Sequence, residues 1–149
     1  MEQNKFQMTM KEEWVRWEPI EGLTGKYDIE SLCTDTNSLI ITLYSCTSKE
    51  KHKIEFKFTS FVNAYRETNE SFRINLFHEL SKKYAGNFYG DWTFFKVVNS
   101  EYIAWLIEDS CAHAALKMIH FCLMGYDSVV DIITCHTPLV RIIKLPNNK

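Results

Sequence analysis

Along "HKIEFKFTSF" (52–61) apolar and polar positions alternate. Ile54, Phe56 and Phe58 fall on one side, Glu55 and Lys57 on the other. A period of two is that of a strand with one face buried and one in water. "LIITLYSC" (39–46) is dense in β-branched and aromatic residues, and "KYDIESLCT" (26–34) sets Tyr27, Ile29, Ser31 and Cys33 on one side. The polar links "DTNS" (35–38) and "TSKEK" (47–51) separate these runs, which predicts a three-stranded meander. Upstream, "WVRWEPI" (14–20) places Trp14 and Trp17 on different faces of a strand, or together on a turn, before Pro19 ends the element.

In "ESFRINLFHELSKKYAG" (70–86) the period changes. Phe72, Leu76, Leu80 and Tyr84 are four apart with Phe77 beside them, the stripe of an amphipathic helix. Asn69 suits the N-cap, Glu70 the first turn, Lys82 and Lys83 the last turn, and Gly86 the stop. On this reading "AYRETNESFR" (64–73) is the junction between a strand ending near Phe61 and a helix beginning near Glu70. Tyr65 then anchors the junction in the core, and Arg66 and Arg73 have acidic partners in Glu67 and Glu70.

"WTFFKVV" (92–98) predicts a strand covered on both faces. "NSEYIAWLIED" (99–109) predicts a short helix capped by Asn99 or Ser100. "LKMIHFCLMG" (116–125), "SVVDIITCHT" (128–137) and "PLVRIIKL" (138–145) predict three closing strands. The sum is an α+β fold: a mostly antiparallel β-sheet curled into a sandwich or partial barrel, with two short helices. A chain of 149 residues suits one domain. We place it at 14–145, after a flexible segment 1–13 and before a tail at 146–149.

Charge narrows the partners. The formal charge is −2, and lysines and arginines are scattered, so no field for a nucleic acid is expected. The five cysteines are odd in number and lack C-x-x-C spacing, which reads as free thiols in a reducing compartment. The first residues carry no apolar leader core, and no run approaches the ~20 apolar residues of a membrane span. A cytoplasmic location without membrane contact is expected.

Candidate chemistry is thin. "FHELSKK" (77–83) has the His78–Glu79 pair of a zinc protease helix, but Lys82 stands where the second histidine belongs. His120 and Cys122 share a strand face that Cys135 or His136 could approach, yet no ligand spacing is defined, and buried thiols with histidines explain them as well. Cys111 with His113 is a nucleophile–base pair on paper only. Asp127 and Asp131 read as a solvated strand face. The five dispersed glycines form no phosphate loop. The aromatics Trp92, Phe94, Phe95, Tyr102 and Trp105 read first as core. No catalytic, metal or cofactor-binding residue is assigned, and no cofactor is expected.

Three stretches taken together carry a resemblance: "FVNAYRETNESFR", "YGDWTFFKVVNSEYIAWL" and "SVVDIITCHTPLVRII", with the patterns YR-x-T-x-E and NS-x-YI-x-WL. They resemble small bacterial proteins of Gram-positive toxin neighbourhoods, encoded beside Bacillus wall-associated and related polymorphic toxins. Some of those act as immunity proteins. The resemblance spans about residues 14–143 and supplies no functional residues. It implies a non-enzymatic cytoplasmic protein that binds a cognate protein toxin. Such a protein should show an exposed aromatic or acidic patch and no deep polar pocket. Arg66, Glu67, Glu70 and Arg73 are the expected partner-binding residues. The alternatives are a small-ligand binder or enzyme with an aromatic-lined cavity in a curled β-sheet, and a homodimer built on a twofold interface.

Overall fold

The computed structural model describes residues 11–23, 25–60, 62–110 and 117–146. The fold is α+β: among the described residues nine strands form two antiparallel sheets, with two helices and no closed barrel. The elements, in chain order, are β1 (Glu13–Arg16), β2 (Tyr27–Thr34), β3 (Leu39–Ser45), β4 (His52–Phe58), β5 (Ala64–Asn69), a 3-10 turn (Glu70–Phe72), α1 (Ile74–Lys83), β6 (Phe94–Val98), α2 (Glu101–Asp109), β7 (Ile119–Met124), β8 (Ser128–Thr134) and β9 (Leu139–Lys144). One sheet has the order β1-β6-β7-β8-β5, the other β2-β3-β4-β9.

The meander β2-β3-β4 forms as its alternation predicts. Ile41, Leu43, Ile54 and Phe56 face inward and pack on Phe94, Phe121, Leu123, Val130 and Ile132 of the five-stranded sheet. Each such side chain contributes about 1.5–3 kcal/mol when fully buried. The outer face stays wet and is laced by Arg141–Glu55 and Lys53–Glu30 ion pairs. One register expectation fails. The ladder shifts between Ile29 and Ser31, so the common face read for Tyr27, Ile29, Ser31 and Cys33 breaks at Glu30. Past this bulge Leu32 packs on the core and Cys33 is exposed.

The five-stranded sheet is buried on both faces. Its second face carries Trp14, Phe95, Val97, Cys122, Met124 and Val129, and Leu80 of α1 closes over them with Leu76, Phe77, Tyr84 and Phe88. Trp14 and Trp17 accordingly part: Trp14 joins this layer, Trp17 the one between the sheets. Two clamps fix segment 84–92 to the sheet. Arg16 donates to the Asn87 and Phe88 carbonyls and to Asp91, and the buried Lys26 Nζ donates to the carbonyls of Tyr89 (2.7 Å) and Trp92 (3.0 Å).

Two expectations are corrected. Residues 64–69 are not a junction but strand β5, in unbroken register with β8 from Ala64↔Ile133 to Asn69↔Ser128. Being an edge strand with one half-covered face, β5 lacks an apolar alternation. Tyr65 is 41% exposed rather than anchored. Asn69 does cap, but it caps the 3-10 turn, accepting from Ser71 N–H at 3.0 Å, and α1 starts only at Ile74. The three closing strands exist, but β9 leaves the sheet of β7 and β8. Both edges of β8 are occupied, by β7 and β5, while β4 has an open edge that β9 fills.

Candidate functional site

Asp131 lies in the middle of β8, between Val130 and Ile132, with no solvent exposure. A bare carboxylate there would cost several kcal/mol. Three cationic or hydrogen-bonding side chains converge to meet it. Arg66 stands directly opposite on β5, and its Nε donates to Oδ2 at 2.8 Å. Arg73, at the start of α1, donates from Nη1 to the same oxygen at 2.8 Å. His120 is diagonal on β7, with Nε2 2.6 Å from Oδ1. Burial alone would raise the Asp131 carboxyl. The His120 hydrogen bond and the charges of Arg73 and Arg66 outweigh it and hold the group well below the usual carboxylate range.

The chain of contacts continues. His120 Nδ1 lies 2.7 Å from Ser100 Oγ, and Ser100 is the N-cap of α2, its oxygen accepting from Ile103 N–H at 3.1 Å. The tautomer that satisfies every partner carries its proton on Nε2, directed at Asp131, and accepts the Ser100 hydroxyl proton on Nδ1. Both Ser100 and His120 are buried. The turn before Ser100 contains Asn99 at φ +54°, the left-handed region that asparagine tolerates better than most residues. On the α2 side, Glu12 Oε2 accepts from Glu101 N–H at 2.9 Å, and burial pushes the Glu12 carboxyl up. Burial likewise pushes the neighbouring Cys122 thiol well up, which leaves it inert.

Outward from Asp131 the network becomes aromatic. The Arg66 guanidinium sits 4.1 Å from the centroid of the Tyr102 ring, and Tyr102 stacks on Trp105 at 6.0 Å and 20°. Trp105 is 58% exposed. Beside Ser100 and His120 a groove of about 620 Å³ opens, walled by apolar side chains including Val98, Ile103, Ile107 and Ile119.

The structure thus brings Arg66 and Arg73 together, but on Asp131 rather than on Glu67 and Glu70, which are exposed. The geometric reason is the strand: Arg66 and Glu67 point to opposite faces of β5. Asp131 is no solvated edge residue either; its partner in the expected pair, Asp127, is the exposed one. A single aspartate inside "VVDII" was the available signal, since a charge amid β-branched residues must find partners. His120, Ser100 and Tyr102 carried no such mark.

His120 and Cys122 do share a face, but both His120 nitrogens are engaged. Among the described residues no group of three or more His, Cys, Asp or Glu is placed to hold a metal ion. His78 is exposed, and Glu79 pairs with Lys82 at 3.5 Å. The Cys111–His113 pair lies outside the described residues. Among the described residues no helix is long and apolar enough to cross a membrane. No family model matches the chain, and no match is found among curated proteins or solved structures.

Proposed function

We propose that the protein acts by binding another protein, and that α2 is the centre of the contact surface. The carrying observation is the composition of α2 against its burial. "EYIAWLIED" is mostly apolar, yet Tyr102 is its only buried residue. Trp105 stands out from it, and the exposed Glu101, Glu108 and Asp109 flank the apolar stretch. An exposed aromatic with an acidic rim is the composition of an anchor for a partner surface. The patch extends through Tyr102 and Arg66 to Arg73, whose sequence neighbours Phe72 and Ile74 are 82% and 60% exposed.

Combined with the resemblance, this supports an immunity-type role: neutralisation of a cognate toxin in the cytoplasm. That role asks for no catalysis. Cells making the toxin encoded beside the gene test it directly. Co-expression of this protein should restore growth, and the two chains should co-purify. Growth arrest despite a soluble, folded protein would dismiss the role.

A further inference from the structure

A contact surface on α2 makes no chemical use of the Ser100–His120–Asp131 chain. We propose that Ser100 is an activated nucleophile that accepts the acyl group of esters with an apolar acyl chain. Serine needs a base at hydrogen-bond distance and a third group that orients the base. Here the base nitrogen lies 2.7 Å from Oγ, and the orienting carboxylate lies 2.6 Å from the other ring nitrogen. The ring is used in the sense Nδ1 to serine and Nε2 to aspartate, which serves the same proton path.

Asp131 is suited to its part. Two guanidinium groups keep it ionised, so it remains an acceptor and fixes the proton of the neutral ring on Nε2. That turns the Nδ1 lone pair toward Ser100. Tyr102 and Trp14 stand edge-on to the imidazole and limit its rotation. Access runs through the groove that Ser100 and His120 line together with Val98, Ile103, Ile107 and Ile119. Those mostly apolar walls suit an alkyl or aryl acyl group.

The step balances as ordinary acyl transfer. Oγ bonds to the carbonyl carbon while its proton passes to Nδ1. The bond to the alcohol oxygen then breaks, and the alcohol leaves with that proton. Water, giving its proton to Nδ1, releases the carboxylic acid and restores Ser100. Asp131 stays ionised throughout and stabilises the imidazolium. The reacting Oγ sits at the N-terminal end of α2 and in the groove, whereas Trp105 marks the outer surface; Arg66 and Tyr102 serve both roles.

The test is labelling of the whole protein with a long-chain alkyl fluorophosphonate, read by intact mass and peptide mapping. One adduct per chain on Ser100, formed by the native protein and not by the heat-denatured one, is the expected result. His120→Gln, which retains an amide donor toward Asp131, should slow labelling by about 10²-fold or more. Ser100→Ala removes the cap as well as the nucleophile, so unmutated protein gives the deciding result. No adduct after prolonged exposure, or an adduct on another residue only, overturns the proposal.

Discussion

Arg66 and Arg73 reach the same carboxylate oxygen, Asp131 Oδ2, each at 2.8 Å, one from an edge strand and the other from the start of a helix. Their shared target ties β5, β8 and α1 into one unit, with His120 adding β7. Removing the carboxylate leaves two guanidinium groups and an imidazole facing a neutral side chain. Asp131→Asn should therefore cost about 3–5 kcal/mol, measured by urea denaturation. Arg73, with a side chain only 16% exposed, should cost more on change to alanine than Arg66 at 45%. Equal, negligible losses would show that the pairs do not hold the helix to the sheet.

The same geometry sets the acid response. Asp131 titrates lower in the folded chain than in the unfolded one, whose value is about 3.9. Below that range the unfolded state takes up the proton first. The stability Asp131 supplies is thus complete above about pH 5 and declines as pH falls further. Denaturation midpoints at pH 7, 4 and 3 should drop in that order, and Asp131→Asn should flatten the fall.

Lys26 adds a slope of the same sign at the alkaline end. Burial lowers its amine from 10.5 to about 8. Between those values the unfolded chain holds a proton that the folded chain has released. Stability contributed by this site therefore rises as pH climbs from about 8 to about 10.5. Lys26→Met should remove that rise while loosening segment 84–92, whose Tyr89 and Trp92 carbonyls it leaves unpaired. Hydrogen exchange across 84–92 would show the loosening.

Leu80 is the only buried residue of α1. Leu80→Ala should cost about 2–5 kcal/mol. Early exchange of the α1 amides relative to β7 and β8 would show that the helix is anchored there.

Trp105→Ala should leave the melting temperature nearly unchanged, within about 0.5 kcal/mol of stability, because the side chain is mostly in water. It should reduce toxin neutralisation sharply in the co-expression assay. Full protection by this variant would move the contact surface away from α2.

Much of the layering was legible because sandwich strands write their burial into alternating residues, as at Ile54, Phe56 and Phe58. The covered strand 92–98 was legible from its near-continuous apolar run, and the helix stripe through Leu80 from its four-residue spacing. β5 was not: an edge strand that pairs on one side carries no apolar period, and its charges resemble a turn. The choice of sheet by β9 depends on which edges are already filled, and no local pattern encodes that. The site was the least legible part. Ser100 was readable as a cap and Asp131 as a strand residue, but nothing in either stretch says that His120 stands between them.

β9 completes the four-stranded sheet by pairing with β4, and the Arg141–Glu55 contact joins residues 86 positions apart. The meander can form early from local turns, but its outer edge stays open until the C-terminal strand has left the ribosome. A chain cut after residue 138 would present β4 as a bare template, with Ile54, Phe56 and Phe58 along it. Folding should show a fast phase for the hairpins and a slower one for closure by β9, and self-association of the shortened chain should be the dominant failure during synthesis.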